Sequence, residues 1–326
     1  MARATAVANP NIAFIKYWGQ ADAALNLPAN PSLSMNLAAL TTVTTVEFHD
    51  SLAADSVTID GRPASGQPLA RVVAHLDRVR ALAGIEARAR VASRNDFPAG
   101  TGLASSASAF AALSLAGSLA AGLRLDEAAL SRLARLASGS ACRSVPAGFC
   151  LWAGGDDESS YARQVAPPRH WALHDVVAVV SHAHKAVGSY DGHGLAPTSA
   201  FHACRLAAVP ALLDDALGAI EARDMATLGA AAEGDALAMH GVMLTSLPSL
   251  LYWLPGTVAV MNAVRAWRAE GIEVYFTLDA GPNVHCLCDE PAAIEVESRL
   301  RELPGVVEVF DSVPGGGARQ ADYHLF

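Results

Sequence analysis

Residues 97–107 read FPAGTGLASSA and set two glycines and two adjacent serines directly before an alanine-rich run. The run indicates a helix, and glycines ahead of it let the backbone approach a ligand closely. A helix N-terminus offers free N–H groups and the positive end of its dipole, so the stretch suits the phosphates of a nucleotide. No Gly-Lys-Ser/Thr follows, so this is not a Walker loop, and an ordinary capped helix after a loop is the alternative.

The composition predicts a globular protein with a large core. Of its 326 residues, 52% are hydrophobic and 17% are charged, which fits one large or two medium domains. The net charge of −9 argues against a nucleic-acid or anionic-membrane partner, although it leaves room for a local basic pocket. Five cysteines without a Cys-x-x-Cys pair indicate neither a disulfide framework nor a zinc site, and they favour a cytoplasmic location. The apolar run 103–123 is long enough to span a bilayer, but we expect a buried helix there.

Helical and β-strand patterns alternate along the whole chain. Strands are predicted at 41–49, 56–59, 147–152, 176–181, 272–279, 284–288 and 306–310. Helices are predicted at 69–83, 103–122, from an Asp126 cap to about 136, 200–221, 224–239, 257–269 and 291–302, with breaks at Pro210 and at Arg223-Asp224. The Pro167-Pro168 pair predicts a domain boundary, with one lobe at 1–168 and the other at 169–326. The pattern therefore indicates an α+β or α/β protein with two lobes.

A lysine in an apolar setting is the main feature of residues 8–37. Lys16 follows an apolar strand and precedes a tyrosine and a tryptophan, and a loop that holds Ser32 and Ser34 comes after them. A buried lysine must find an anionic partner or lose its charge. The alternative is a lysine at the end of a strand whose ammonium group reaches solvent.

Two further stretches each carry one candidate residue. In ASGSACRS (137–144), Arg143 stands among small residues and suits a carboxylate or a phosphate, or else it is a solvated arginine in a polar loop. In FTLDAGPNV (276–284), Asp279 ends an apolar strand before a Gly-Pro turn. A carboxylate in this position is a candidate general base, although an aspartate that caps a turn is equally common.

Four motifs in order, NIAFIKYWG, FPAGTGLASSASAFAAL, SGSACRS and LDAGPNVH, resemble those of the GHMP kinase superfamily. Within it they are most similar to the mevalonate-diphosphate-type decarboxylases. The resemblance implies a two-lobed α+β fold with a ribosomal S5 domain 2-like N-terminal lobe and a ferredoxin-like C-terminal lobe. It also implies ATP and Mg²⁺ as cofactors, a phosphorylated mevalonate as substrate in the mevalonate pathway of isoprenoid biosynthesis, and a homodimer.

The resemblance also assigns roles to individual residues. Asp279 matches the catalytic aspartate, Lys16 the lysine close to it, and Arg143 the arginine that holds the substrate carboxylate. The residues implied to bind substrate, besides Arg143, are Asn11, Tyr17, Gln20, Ser138 and Ser140. The residues implied to bind ATP are Pro98, Gly100, Gly102, Leu103, Ala104, Ser105 and Ser106, with Ser106 also near the magnesium ion.

Gln20 is a departure from the family pattern. Members that act on the diphosphate usually carry a lysine or arginine at this position, and losing one charge-assisted bond costs a diphosphate about 1.5–3 kcal/mol. We therefore expect 5-phosphomevalonate as substrate and isopentenyl phosphate as product. Arg62, Arg71 or another arginine could replace the missing cation, which leaves diphosphomevalonate decarboxylation as the alternative.

Two other functions fit the same superfamily. A small-molecule kinase would transfer the phosphoryl group and stop, whereas Lys16, Arg143 and Asp279 form the set expected of a decarboxylase. A sensor would keep the pocket but lose catalytic groups, and no such loss is visible in the sequence.

Overall fold

The computed structural model describes residues 3–96, 105–183, 185 and 187–326. The helices are α1 (Gly66–Ala83), α2 (Ser105–Ala120), α3 (Glu127–Ala137), α4 (Ser189–His193), α5 (His202–Ala222), α6 (Met225–Thr245), α7 (Pro255–Ala269) and α8 (Glu290–Glu302), with 3-10 turns at Gly139–Ser144, Pro168–His170 and Ala196–Thr198. The strands are β1 (Arg3–Ala8), β2 (Asn11–Ile15), β3 (Gln20–Asp22), β4 (Leu27–Pro28), β5 (Ser32–Asn36), β6 (Thr42–His49), β7 (Ser56–Ile59), β8 (Arg62–Pro63), β9 (Arg88–Asn95), β10 (Phe149–Trp152), β11 (Ala162–Ala166), β12 (Leu173–Val179), β13 (Val274–Thr277), β14 (Val284–Asp289), β15 (Glu308–Ser312) and β16 (Arg319–Ala321). Helices and separate sheets in one chain confirm the α+β class.

The strands form three main sheets and one short hairpin within the described residues. The first sheet has the order β16-β1-β6-β9-β7-β8, the second β11-β10-β5-β2, and the third β13-β14-β12-β15. The short hairpin pairs β3 with β4. Non-consecutive neighbours such as β1 and β16 show that the chain returns to the first sheet at its end, which ties its two termini together.

The alanine-rich helix α2 packs against the first sheet. It contacts β1 and β6, and its face toward them is made of small side chains such as Ala111, Ala112 and Ala116, which are fully buried. Small residues let the helix lie close to the sheet, and their burial accounts for the continuous apolar pattern. The expectation of a buried helix is confirmed, and no helix in the described part of the chain has the length and apolarity needed to cross a bilayer.

Capping residues define where two of the predicted helices begin. The Asp126 carboxylate accepts a hydrogen bond from the Ala129 N–H at 2.7 Å and starts α3, as the sequence predicts. Asp224 does the same for the Thr227 N–H at 3.1 Å and starts α6. An oxygen at this position satisfies one of the backbone donors that the first helical turn leaves free.

Two local predictions are wrong. Ser32 and Ser34 do not lie in a loop, because they belong to the buried strand β5 between β10 and β2. Alternating serines with buried apolar neighbours are a strand pattern, and their hydroxyls serve the site described below. Pro210 does not break α5, which runs from His202 to Ala222 with the proline inside it.

One hydrophobic cluster contains residues from both halves of the chain. Ile12, Phe14 and Leu33 from the first half pack in it with Val177 and Ala216 from the second, and Tyr275 of β13 packs against it. This packing holds β2 and β13 near each other, and the site lies at their ends. The boundary between lobes 1–168 and 169–326 stays a prediction.

Candidate active site

The sequence-predicted residues that the structure describes line one cavity of about 320 Å³. They come from the end of β2, the 3-10 turn after α3, the start of α2 and the segment after β13. The predicted residues that border this cavity are Asn11, Lys16, Tyr17, Gln20, Ser106, Ser138, Ser140, Arg143 and Asp279.

Lys16 and Asp279 form an ion pair in this cavity. The Lys16 ammonium group lies 2.8 Å from Oδ1 of Asp279, and Lys16 is 1% exposed while the Asp279 side chain is 30% exposed toward the cavity. Burial alone would raise the pKa of Asp279, but Lys16, through its charge and hydrogen bond, acts with other nearby groups such as Arg143 to hold this pKa below its ordinary value. Asp279 is therefore ionised at neutral pH and can accept a proton or a hydroxyl hydrogen bond.

Helix α6 holds both members of the pair in place. The Asp235 carboxylate in α6 accepts the Lys16 backbone N–H at 2.6 Å, and His240 one turn further on makes a 3.1 Å hydrogen bond with the Asp279 backbone oxygen. Arg205 completes the arrangement, because it donates to both Asp235 oxygens and to the Lys16 carbonyl. A buried charge needs such a paired network to remain charged.

Arg143 is a buried cation with neutral partners. It is 3% exposed, and its guanidinium group donates to Oδ1 of Asn11 at 3.1 Å, to the Ser32 hydroxyl at 2.7 Å and to the Ser34 hydroxyl at 3.1 Å. Among the described residues no carboxylate lies within ion-pair distance of it. A buried guanidinium without a counter-ion favours an anionic ligand, since burial lowers its pKa and disfavours the bare charge.

The 3-10 turn Gly139–Ser144 carries Arg143 to this position. Asn11 ties the turn to β2, because its amide donates to the Ser140 carbonyl at 3.2 Å and to the Ser144 hydroxyl at 2.8 Å. A side chain on Gly139 would lie 2.6 Å from the Tyr17 ring, so the turn can approach this ring only with glycine there. The segment is thus a buried structural turn rather than a polar surface loop.

The uncharged side chains of Tyr17, Gln20 and His193 lie next to one another in the cavity lining, and we call this part the neutral, or uncharged, end of the cavity. The Gln20 amide donates to the Tyr17 hydroxyl at 3.1 Å and to Oδ1 of Asn26 at 2.8 Å, so its N–H groups are already engaged. The His193 ring lies 4.1 Å from the Tyr17 ring between centroids and also borders the cavity. Of the two arginines suggested as replacements for a cation at position 20, Arg71 borders the cavity, whereas Arg62 lies exposed on the edge strand β8.

The cavity is positive in a protein of negative net charge. Its charged lining residues, within the described part of the chain, are the cations Lys16, Arg71, Arg143 and Lys185 and the carboxylates Asp191 and Asp279. The net charge of the chain is −9, so the cavity is opposite in sign to the molecule as a whole. The local excess of cations is suited to a ligand with several negative charges.

A second, mostly apolar cavity of about 210 Å³ adjoins the first. The two share Gln67, Arg71 and Ser106, and the Ser106 hydroxyl lies 3.3 Å from the Ser138 hydroxyl at their junction. The predicted ATP-binding residues Pro98, Gly100, Gly102, Leu103 and Ala104 lie outside the described residues, and Ser105 is described only as the first residue of α2. The helix N-terminus expected to bind phosphates therefore starts beside both cavities.

Sequence reasoning missed several residues of the site. Lys185 borders the cavity and hydrogen-bonds the Ser189 hydroxyl at 3.1 Å, and it lies in a segment (185–192) that resembles the family only weakly. Asp235 could have been noticed, because it is a carboxylate within a long alanine-rich helix. His193 carried no signal, since a histidine after a glycine is common in loops.

A lysine–carboxylate ion pair in a cavity rich in cations, with a second cavity adjoining it, suits an enzyme that acts on an anionic substrate, and the comparisons with known proteins place the chain in the GHMP kinase superfamily. The family model for the diphosphomevalonate decarboxylase-like N-terminal domain matches residues 8–162, and that for the mevalonate 5-diphosphate decarboxylase C-terminal domain matches residues 175–313. The chain is 33% identical to the phosphomevalonate decarboxylase of Haloferax volcanii, over 98% of each chain. It is 38% identical to the diphosphomevalonate decarboxylase mvd1 of Aspergillus fumigatus, over 86% of this chain and 75% of that one.

A solved structure has the same fold. The protein MDDEF, in complex with MVAPP, AMPPCP and magnesium, superposes with a TM-score of 0.93 at 38% identity, over 98% of this chain and 99% of the other. The chain therefore belongs to the diphosphomevalonate decarboxylase family, and the resemblance in its motifs is confirmed. It is an ATP-dependent decarboxylase of mevalonate phosphate or mevalonate diphosphate.

Proposed function

We propose that the chain converts 5-phosphomevalonate and ATP to isopentenyl phosphate, CO2, ADP and phosphate. The observation that carries the choice of substrate is the uncharged end of the cavity, where Gln20 replaces a cation and is held by Tyr17 and Asn26. Among the relatives, the Haloferax volcanii protein is named for the monophosphate substrate and most others are named for the diphosphate, so the family alone leaves both substrates open.

Asp279 and Lys16 assist the first step, the transfer of a phosphoryl group from ATP to the substrate. Asp279 orients the tertiary hydroxyl at C3 of the substrate and accepts its proton while the oxygen attacks the γ-phosphorus of ATP. Lys16 keeps Asp279 ionised and offsets negative charge near the transferring group, which its 2.8 Å contact supports. The products of this step are ADP and a 3-phosphorylated intermediate.

Arg143 assists the second step, in which phosphate and CO2 are eliminated. Its buried guanidinium has neutral partners in Asn11, Ser32 and Ser34, so it can hold the substrate carboxylate in a fixed orientation. The C3–O bond breaks and phosphate leaves with its electron pair. The electrons of the bond to the carboxylate carbon then form the C2–C3 double bond, and CO2 is released.

The second cavity and Ser106 are assigned to the nucleotide. The cavity is mostly apolar, which suits an adenosine, and Ser106 and Arg71 lie where it opens into the first cavity. Magnesium would be held by the ATP phosphates and the Ser106 hydroxyl, since this ion usually keeps waters and takes few protein ligands. No cluster of three acidic, histidine or cysteine side chains occurs in the described ranges, which fits a metal that arrives with the nucleotide. The MDDEF complex holds AMPPCP and magnesium, which supports this assignment.

The uncharged end of the cavity is assigned to the 5-phosphate. A diphosphate brings a second phosphoryl group and more negative charge, and each missing charge-assisted bond costs it about 1.5–3 kcal/mol. Arg71 also borders this cavity, but its guanidinium donates to the Ala137 carbonyl at 3.2 Å and lies over the Phe110 ring. A guanidinium already held in this way is less available to a second phosphoryl group, which favours the monophosphate.

The homodimer and the cytoplasmic location implied above also stay predictions. Sedimentation of the purified chain tests the first, and a sedimenting mass close to that of one 33.7 kDa chain would contradict it.

The reaction itself is tested with 5-phosphomevalonate, ATP and magnesium. We expect ADP and CO2 in equal amounts and a product with the mass of isopentenyl phosphate. ADP without CO2 would leave a kinase and remove the role given to Arg143. ADP at background level with both phosphorylated mevalonates would leave a sensor.

A further inference from the structure

We propose that His193 binds the 5-phosphate of the substrate as an uncharged hydrogen-bond donor, through its Nε2–H group. The inference rests on the proposed function for the nature of the ligand, a 5-phosphorylated mevalonate. It makes His193 a specificity-determining residue at the neutral end of the cavity.

The hydrogen bonding of the ring fixes its tautomer. The Gly19 backbone N–H donates to Nδ1 of His193 at 3.1 Å, so Nδ1 is an acceptor and carries no proton. In a neutral imidazole the proton then sits on Nε2, which becomes a donor. The backbone of the segment that follows Lys16 thus sets which nitrogen can serve a ligand.

Aromatic contacts hold the ring in one orientation. Its centroid lies 4.1 Å from that of Tyr17 and 4.7 Å from that of Trp18, with interplanar angles of 31° and 37°. A side chain on Gly192 would come within 2.7 Å of the Trp18 ring, so the short helix α4 lies close against this cluster. A donor whose ring is already fixed loses little entropy when a ligand binds.

The surroundings keep the ring neutral. Burial lowers the pKa of His193 to about 3, and the charges of Arg143 and Arg205 act in the same direction. His193 is 7% exposed. It therefore adds a hydrogen bond to this end of the cavity without adding a cation that would attract a second phosphoryl group.

Nε2 is the polar atom of the ring that a ligand can reach. His193 borders the cavity, and within the described residues Nε2 has no hydrogen-bond partner. An N–H group that faces a cavity in this way can donate a hydrogen bond to an anionic oxygen of a ligand bound there. The neighbouring Tyr17 and Gln20 place this donor at the end assigned to the 5-phosphate rather than at the Lys16–Asp279 pair.

Two substitutions of His193 separate the contribution of its N–H donor to binding from the contribution of its aromatic ring. His193→Phe keeps an aromatic ring but removes the donor, and His193→Gln restores an N–H group near the position of Nε2. The control is His202→Phe, because His202 also packs against Gly19 but does not border the cavity. For the wild type and each variant, kcat and KM are measured with 5-phosphomevalonate and, in a separate series, with 5-diphosphomevalonate, and the inhibition constant is measured for mevalonate, which lacks the phosphate.

We expect His193→Phe to raise KM for 5-phosphomevalonate by about tenfold to a hundredfold, as for the loss of one hydrogen bond to a charged group. In His193→Phe, kcat and the inhibition constant of mevalonate should stay at the wild-type values. His193→Gln should recover most of the lost affinity for 5-phosphomevalonate. The control His202→Phe should match the wild type in all three quantities. An unchanged KM, an equal weakening of mevalonate, or a fall in kcat alone would overturn the proposal.

A measurement on the wild-type protein tests the same proposal without depending on whether a variant folds. With ¹⁵N-labelled histidine, the His193 signals should report a neutral ring protonated on Nε2, and this signal should shift when 5-phosphomevalonate binds but not when mevalonate binds. Protonation on Nδ1 or no shift would overturn the proposal. A wild-type preference for the diphosphate would overturn the proposed substrate alone. The role of His193 would then be decided by the variant-to-wild-type ratio of KM measured with the diphosphate.

Discussion

The two ends of the cavity are built in different ways. At the reactive end, the buried charges of Lys16, Asp279 and Arg143 are held by hydrogen bonds from several elements. At the other end, Tyr17 and Gln20 are neutral and bond mainly to each other and their neighbours. Charge is placed where the reaction creates and removes charge, whereas a phosphate that stays unchanged can be bound by neutral donors. The reactive end therefore sets the chemistry and the neutral end sets the substrate.

Removing the carboxylate of the reactive end should have the largest effect. Asp279→Asn keeps the shape but cannot accept a proton, so we expect kcat to fall by about 10²–10⁴-fold with little change in KM. Steady-state release of ADP measures it. Asp156→Asn is the matched control, because Asp156 is exposed and does not border the cavity, and this variant should have the wild-type kcat. A kcat within a few-fold of wild type for Asp279→Asn would remove Asp279 from the mechanism.

Removing the buried guanidinium should come next. Arg143→Gln deletes the charge expected to hold the substrate carboxylate, and we expect kcat/KM for CO2 release to fall by about a hundredfold. Arg143→Lys keeps the charge but lacks the planar guanidinium group that can make two parallel hydrogen bonds to a carboxylate. Its kcat/KM should lie between that of Arg143→Gln and that of the wild type. Equal activities of the lysine variant and the wild type would mean that orientation of the carboxylate is unimportant.

Removing the lysine should change the pH dependence. Lys16 lowers the pKa of Asp279, so in the wild type the loss of kcat/KM on acidification should begin below the ordinary aspartate range, about pH 4. In Lys16→Met the pKa of Asp279 rises, because burial then acts without the cation, and the acid limb should move up by about one to three pH units. The profile of kcat/KM against pH measures it. An acid limb in the same place would show that Lys16 does not act through Asp279.

Adding a charge to the neutral end should have the smallest effect. Gln20→Lys supplies the cation that the family usually has there, so kcat/KM for 5-diphosphomevalonate should rise by about tenfold relative to the monophosphate. Gln20→Met, of similar length but uncharged, should give no such gain. A lysine variant with the wild-type substrate ratio would show that position 20 does not set the number of phosphates.

Much of the fold followed from local patterns in the sequence. Asp126 caps α3 as predicted, and the apolar run after 103 is a buried helix. Ser32 and Ser34 were misplaced because serines in a short segment indicate a turn as readily as a strand, and only their pairing with β10 and β2 decides between them. Pro210 was misread because its effect depends on the surrounding packing of α5.

The site was predictable only in part. Motifs indicated Lys16, Asp279 and Arg143, but the contacts that hold them come from distant segments. Asp235 reaches the Lys16 backbone across 219 residues of sequence, and His193 reaches Gly19 across 174. Such partners are set by tertiary packing, which a pattern within one segment does not contain.

The central claim is that the neutral end of the cavity selects a monophosphate. The most direct test is a paired measurement of kcat/KM on the unaltered chain with ATP and magnesium, with 5-phosphomevalonate in one series and 5-diphosphomevalonate in the other, following both ADP and CO2. We predict a kcat/KM that favours the monophosphate by about tenfold or more, the value of one missing charge-assisted hydrogen bond. A preference for the diphosphate would contradict the claim and would show that a cation such as Arg71 replaces the one absent at Gln20, while the chemistry of the reactive end would stand.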